Sequence, residues 1–586
     1  MYAWRDFTVF ALKGRDGMYV EAETVTQHGH FGERLMDVQG IPVYVDWRSG
    51  YREVSSRFNE SLMTGGKRMK CRDNNMWAKC IAPLAPMLAL IAILGSPDLA
   101  ASATIHADSG LSGDCVGSYD PTTRTCGSGT AVAYRTLNAA AAAAQAGDDV
   151  LLRGGNFQEI LSPPQSGTPG NYITFKSFPG ETAILSGVNN PAISLLNKSY
   201  LIIEALTVTD VLGWGRIESS SYNIFRNNRF ARAAAHGTTG GLKFVKSTFN
   251  KVLNNTFDDG NDSLVLQESD RNLLQGNTFT KARHSLLSVR CGNFNVIRDN
   301  RFHNADQKAC EIYDCEGTSD APVKLNATKH NLFDGNTFSY TKASDRHHKY
   351  NGIQYGGQNG IARRNVFYSN QGGALSFQVY PKEALYNNSN RVFNNTFYNN
   401  RCYGMSASAA SGGDRYFGNI VKNNIFYKNT SCSGGADQTF IENTTAVKLQ
   451  SNAIVTTSPQ FVKGTGPDLH LTVGSPMIDA GAFSTRSVGA GSGTVLTVED
   501  VGYFYDGFGI PGEAGDVIQF EGQSITARVV GIDYANKTLT LDRPLTWANR
   551  QSLHLQYTGI KPDMGAFEFQ SSNRVPSPLS NLQVVP

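Results

Sequence analysis

The sequence has 586 residues, too many for one ordinary globular core unless the chain is built from repeats. Hydrophobic residues make up 40%, charged residues 18%, and the formal net charge is +3, so no sequence-wide field exists to hold a nucleic acid. With Gly at 59 and Pro at 21, the chain is rich in turns, which disfavours an all-helical protein, yet too apolar to be disordered.

In chain order, the first signal is a basic segment at residues 69–72, an apolar run from Ile81 to Leu94 and the triplet Ala101-Ser102-Ala103. This is the pattern of a secretory signal peptide over 69–103. The run is short against the roughly 20 residues that span a bilayer, and Pro83 and Pro86 interrupt it. Because such a signal acts at a true N-terminus, residues 1–68 read as a non-native upstream extension. The mature protein is expected to be secreted or periplasmic, monomeric, and free of the membrane once the signal is removed. The later cysteines, at 115, 126, 291, 310, 315, 402 and 432, lack CxxC spacing, which favours disulfides over metal. Cys115 with Cys126 and Cys402 with Cys432 are candidate pairs; Cys310 or Cys315 is a candidate for the rest, leaving one odd thiol.

Residues 134–152 predict an Ala-rich helix ended by Gly147 and followed by a strand, placed to cover the open edge of what comes next. From residue 222 a phrase of Asn, one variable residue and Phe recurs, ending at Phe230, Phe257, Phe279, Phe302, Phe338, Phe367, Phe397 and Phe426. The spacing lacks helical periodicity, and most anchors are followed by alternating stretches such as SLVL, LLSV, ACEI, GIQY and ALSF. Short strands that cannot bury their faces singly do so when stacked about 4.8 Å apart, which predicts an all-β, right-handed parallel β-helix over 104–483. The Phe residues are expected to stack inside, and the Asn residues to take left-handed turns and bond their equivalents in the next coil. Residues 484–561 alternate as a small β domain inserted in the last coil, 562–570 read as the closing strand, and 571–586 as a linker-like tail.

The outward positions of one sheet then form a ladder for an extended polymer. One column holds Lys243, Val265, Ser288, Glu311, Gln354 and Ser376; the next holds Val245, Gln267, Arg290, Tyr313, Gly356 and Gln378. The ionisable groups focus a candidate cleft on Arg290, Glu311 and Tyr313, bordered by His284, Lys308, His347, His348 and Lys349. Arg, Lys, Tyr and His are the tools of β-elimination on a uronic acid polymer, where a base takes the proton beside the carboxylate and cations hold the enolate. Hydrolysis with inversion instead needs two carboxyls about 6.5–9.5 Å apart. Asp262 and Glu311, two coils apart, are expected roughly 10 Å from each other. A non-catalytic glycan-binding or adhesin β-helix is the third reading; it would need no converging ionisable cluster. No metal ligand is assigned, since the adjacent His347 and His348 cannot readily face one ion. Calcium is the open cofactor: DDGND (258–262) lacks the length and final Glu of an EF-hand loop and could only join distant ligands.

The cap and coils resemble the pectate-lyase-like superfamily, and SPMIDAGAF (475–483) with PDMGAFEF (562–569) is similar to a terminal-coil motif of its bacterial members. KSTFNKVLNNTF (246–257) resembles the lysine-bearing coil of the alginate lyase and chondroitinase B family, which implies Lys246 as the base. That family's arginine would fall at Gln267, and its calcium-binding glutamates at Thr239 and Gly241. DDGNDSLVLQ (258–267) with His284 resembles, more weakly, the aspartate and histidine coils of polygalacturonases. The expected partner is an acidic polysaccharide, and the expected activity that of a polysaccharide lyase.

Overall fold

The computed structural model describes residues 102–570 except 188–190, 235–239, 317–324, 343–350, 379–385, 409–415 and 463–467, together with isolated strands before residue 57. Signal residues 69–101, the loop residues His347, His348 and Lys349, and the tail 571–586 lie outside the described residues. The chain divides into two compact units, Met1–Ala100 and Ala101–Pro586. In the first, Phe7–Lys13 pairs antiparallel with Tyr19–Val25, and Ile41–Val45 pairs with Arg34–Val38 and Val54–Ser56.

The second unit is a parallel solenoid in which three strands make each turn. Strands carrying the Asn-x-Phe phrase stack as a first column, from Thr207–Val211 to Ala453–Val455. The alternating strands that follow stack as a second, from Ile193–Leu196 to Thr439–Ile441. A third column runs from Asp149–Leu152 to Val447–Gln450. In two coils the first and second columns fuse into single strands, Thr256–Gln267 and Thr278–Arg290.

The repeated residues explain the stacking. Phe230, Phe257, Phe279, Phe302, Phe338, Phe367, Phe397 and Phe426 form one pile of parallel rings with centroids 4.6–4.9 Å apart. Each ring is fully buried, so the pile combines apolar burial with repeated ring contact. Asn228, Asn255, Asn277, Asn300, Asn336, Asn365, Asn395 and Asn424 form the parallel ladder, each Nδ2 donating to the Oδ1 of the next at 2.9–3.1 Å. Buried amides are thereby satisfied along the whole stack. The left-handed turn, however, falls one residue earlier than the sequence suggests: Asn227, Asn254, Asp299, Asn394 and Asn423 have positive φ, and Gly276 and Gly335 take the same place. The ladder Asn must keep its backbone in the strand so that its own N–H can also bond the neighbouring amide oxygen. Gly276 has φ +69°, and a Cβ there would stand 2.2 Å from Asn254 Oδ1. Gly276→Ala is therefore expected to lower stability by about 1–2 kcal/mol. Denaturant titration beside Gly276→Asn, which restores the residue type of neighbouring coils, should show the smaller loss for Asn.

The helix is short, Leu137–Ala143, with Thr136 Oγ1 accepting from Ala139 N at its start. Leu137, Ala140 and Ala141 face the solenoid core and cover the N-terminal coil. Cys115 is bonded to Cys126 and Cys402 to Cys432; Cys291 is also disulfide-bonded, and the buried Cys310 is the free thiol among the described residues.

After the last coil the chain forms a six-stranded antiparallel sheet between Thr485 and Leu555. Its apolar face shares one cluster with Leu273, Val296, Leu332, Ile361 and Phe393 on the outside of the third column. Arg363, 1% exposed, joins Asp334 of the solenoid to Asp516 of this sheet. Residues 562–570 are not a closing strand: they are irregular, packing Met564, Ala566, Phe567 and Phe569 against Tyr398, Ile425 and Tyr427. Gly565, with φ +91°, donates to Asn423 O there, a conformation that a strand could not contain. The added sheet covers the third column and leaves the outside of the second uncovered by it.

Candidate functional site

The second column presents its alternate side chains outward, because Leu264, Leu266, Leu287, Val289, Cys310 and Ile312 fill the core. Strand register aligns Lys243, Val265, Ser288, Glu311, Gln354 and Ser376 in successive coils. Val245, Gln267, Arg290 and Tyr313 align beside them. A third line is set by Asp262, Ser285 and Lys308.

A β-bulge brings these lines to a focus. Gly260 pairs with Ala282 but Asp262 pairs with Ser285, so the later strand holds one extra residue across Arg283 and His284. Such a bulge re-aims a side chain without ending the sheet. Here it turns His284 onto the preceding coil, where Nδ1 lies 2.6 Å from Asp262 Oδ1. Ser285 Oγ donates to the same oxygen at 2.7 Å. Arg290 Nη2 donates to Asp262 Oδ2 at 3.1 Å and to Glu311 Oε1 at 3.4 Å, while its Nε donates to Ser288 Oγ at 2.8 Å. Lys308 Nζ donates to Glu311 Oε2 at 2.5 Å and sits 3.5 Å from His284 Nε2. The Arg290 guanidinium lies 5.3 Å from the centre of the Tyr313 ring.

The electrostatics follow from this packing. Burial alone would raise the Asp262 carboxyl, but the His284 contact, with Ser285 and Arg290, holds it below the usual aspartate value. The hydrogen bond to Asp262 raises His284, against burial, with Glu311 adding to the rise. Burial, then Glu311, pushes the Tyr313 phenol up, so it keeps its proton. Asp262 and Glu311 are almost fully buried, whereas the His284 side chain is 36% exposed and its Nε2 lies 3.5 Å from Lys308 Nζ.

Two expectations are corrected. Asp262 and Glu311 are not near 10 Å apart: their nearest groups and a His284 nitrogen lie within 4.8 Å of one another, because the bulge and Arg290 draw them together. Lys246 does not join the cluster. It is exposed, with φ +49°, at the turn position also occupied by Glu268 and Cys291, whose role is to swing the chain toward the third column. Lys243 lies half-buried at the foot of the ladder; Gln267 is half-buried below Arg290; Gln354 is buried above Glu311; Gln378 contacts Ser376 Oγ at 3.5 Å. Ser285 escaped the sequence reading, although the recurrence of Asp-Ser at 262–263 and His-Ser at 284–285 was a usable signal.

Asp262, His284 and Glu311 could each offer a metal ligand. Their fit is poor: Arg290 and Lys308 already hold both Glu311 oxygens, and Arg290, His284 and Ser285 hold those of Asp262. Calcium, which prefers six or more oxygens, finds only two carboxylates with cations between them. A separate cavity of about 510 Å³ opens beside Glu268, Asp270, Phe294 and His330 on the turn side and contains none of the cluster residues.

A family model described as right handed beta helix region matches residues 192–324 and 240–459. With its stacked parallel columns, the chain is a right-handed parallel β-helix protein. The uncharacterized protein YwoF of Bacillus subtilis (strain 168) is 26% identical over 318 residues, which span 50% of this chain and 64% of that relative. Among solved structures, the PL6 family alginate lyase AlyGC shares 16% identity over 53% of this chain and 49% of its own, with a TM-score of 0.37. Pectate lyase Pel9A shares 14% over 80% and 97%, at 0.40. The catalytic domain of a GH87 alpha-1,3-glucanase shares 15% over 53% and 64%, at 0.35.

Proposed function

We propose that the protein is a secreted or periplasmic polysaccharide lyase that cleaves a uronic-acid glycan by β-elimination at the His284 cluster. The observation that carries this reading is the Asp262–His284 pair, which engages Nδ1 and leaves Nε2 as the basic atom of a part-exposed imidazole that shares its cluster with Arg290, Lys308 and Tyr313. With Nδ1–H donated to Asp262, neutral His284 keeps its Nε2 lone pair to take the C5 proton of a uronate. Arg290 has Nε and Nη2 engaged, while Nη1 makes no hydrogen bond among the described residues and can meet the substrate carboxylate. The C5–H electron pair passes into the enolate that Arg290 and Lys308 stabilise. Its return breaks the C4–O bond, and the leaving oxygen takes the Tyr313 proton. Asp262 orients His284, and Glu311 holds Lys308 and Arg290.

Hydrolysis is less well served. Asp262 is held ionised rather than protonated, and Arg290 occupies the space between it and Glu311 where a water would have to sit. A purely binding role leaves the convergence of five ionisable groups without a use. Secretion is supported by the disulfides and the signal-like segment; among the described residues no helix is long and apolar enough to cross a membrane.

The test is product identity. Incubation with uronate polymers should raise the ultraviolet absorbance of unsaturated uronyl ends. Reducing ends without that absorbance would overturn elimination in favour of hydrolysis, and inverted C5 centres in an uncut chain would overturn the cleavage step.

A further inference from the structure

Two serines of one strand each hold one carboxylate of the cluster: Ser285 serves Asp262, and Ser288 serves Glu311. Ser288 is fully buried, on the outward line between Val265 of the coil before and Glu311 of the coil after. Its hydroxyl donates to Glu311 Oε1 at 3.1 Å and accepts from Arg290 Nε at 2.8 Å. The Tyr313 phenol hydrogen-bonds the same hydroxyl.

A serine hydroxyl offers one proton and two lone pairs, so the direction of each bond is fixed by its partners. The Glu311 carboxylate, held by Lys308 and Arg290, can only accept and claims the proton. The Arg290 N–H can only donate and takes one lone pair. The other lone pair is left for Tyr313, whose phenol keeps its proton because burial, then Glu311, pushes it up. The Tyr313 proton therefore rests on Ser288, and it leaves only for a stronger acceptor such as the oxygen expelled in β-elimination.

The base is tied to the same carboxylate. His284 faces Asp262, Glu311 and Lys308, with Arg290 bridging the two carboxyls. Its Nδ1 is held by Asp262 Oδ1 at 2.6 Å, while Glu311 Oε1 stands at 3.7 Å, beyond hydrogen-bond reach. That Oε1 is the atom to which Ser288 and Arg290 donate. Their two donors take up charge that would otherwise fall on the imidazole.

We infer that Ser288 is a positioning residue joining the acid and base halves of the site, aiming the Tyr313 proton and the Arg290 guanidinium while drawing Glu311 Oε1 away from His284. This rests on the lyase reading for the destination of the Tyr313 proton; the hold on His284 rests on the hydrogen-bond geometry alone.

The experiment compares the full chain with Ser288→Ala and Ser288→Thr. Threonine keeps the hydroxyl, and its branched Cβ matches Val265 at the same place in the preceding coil. Two readouts are taken: the unsaturation assay on uronate polymers, and the titration of His284 by NMR on protein carrying isotope-labelled histidine, assigned with His284→Ala. Ser288→Ala should lower kcat about 10–100-fold, the rate equivalent of losing a hydrogen bond to a charged group, with KM nearly unchanged. Its His284 midpoint should move to higher pH, because Glu311 Oε1, short of one donor, turns its charge to the imidazole, and the kcat/KM limb should follow. Ser288→Thr should restore both readouts towards the parent values. A His284 midpoint unmoved in Ser288→Ala, or a threonine variant as altered as the alanine one in both readouts, would overturn the inference. A midpoint that moves in a protein forming no unsaturated product would uphold the link from Ser288 to His284 while removing the lyase reading.

Discussion

Replacing His284 by Ala is expected to reduce kcat by about 10²–10⁴-fold, the range for losing a positioned general base, with the fold intact. The side chain is part-exposed and lies outside the solenoid core, so circular dichroism and denaturation midpoints should change little. The pH profile carries the sharper test. Because Asp262 raises His284, the free base forms only as pH climbs past its ordinary value of 6.5, and kcat/KM should rise through a limb on the alkaline side of that value. Asp262→Asn removes the anion that holds the proton, so the limb should move to lower pH. Its plateau should also fall, because an amide does not enforce the Nδ1–H tautomer. The linked stability has matching signs. The raised histidine contributes fully below pH 6.5 and loses its contribution as pH rises through its folded value; the lowered aspartate contributes above about 3.8 and loses it as pH falls through its own. A His284→Ala enzyme with full activity, or a limb unmoved in Asp262→Asn, would remove His284 as the base.

The second large effect is on stability. Arg363→Met should cost about 3–5 kcal/mol, the usual loss when one member of a buried ion group is removed and its partners stay charged. Arg363 is 1% exposed; it donates to Asp516 at 2.6 and 2.7 Å and to Asp334 at 3.0 Å. Burial would raise Asp334, but Arg363 and Arg364 hold it far below the usual range; without Arg363 the carboxyl keeps Arg364 and loses its largest stabilising charge. The comparison is Arg543→Met, which breaks an exposed contact with Asp542 and should change stability by no more than about 0.5 kcal/mol. Urea midpoints that fall equally in both variants would refute a special role for the buried group. Adding Asp516→Asn to Arg363→Met should recover part of the loss.

Much of the architecture is legible in the sequence because a coil can satisfy its buried groups in few ways. Phe at one repeated place must stack, and Asn two residues earlier must bond its copy above and below, so eight such phrases specify a pile. Alternation of Leu264 and Leu266 around Val265, or Cys310 and Ile312 around Glu311, tells inside from outside and hence which residues share a ladder. The centre of the site is less legible. Counting residues cannot reveal that one extra position between Ala282 and Ser285 is taken up as a bulge, and it is the bulge that brings His284 to Asp262. Motif similarity placed a base at Lys246, but a residue count holds no information about φ, and the left-handed backbone there belongs to a corner. Residues 562–570 carry a strand-like pattern because they bury alternate apolar side chains, which an irregular plug against the last coils also does.

The six-stranded sheet is fastened at both ends. Where the chain enters it, Asn423 Oδ1 accepts from Ala482 N and its Nδ2 donates to Ala482 O. Where the chain leaves, Gly565 N donates to the carbonyl of the same asparagine. A body tethered through one residue on its way out and back has no hinge on which to swing. It is built as a fixed buttress on the third column rather than as a mobile lectin-like arm fishing for distant glycans.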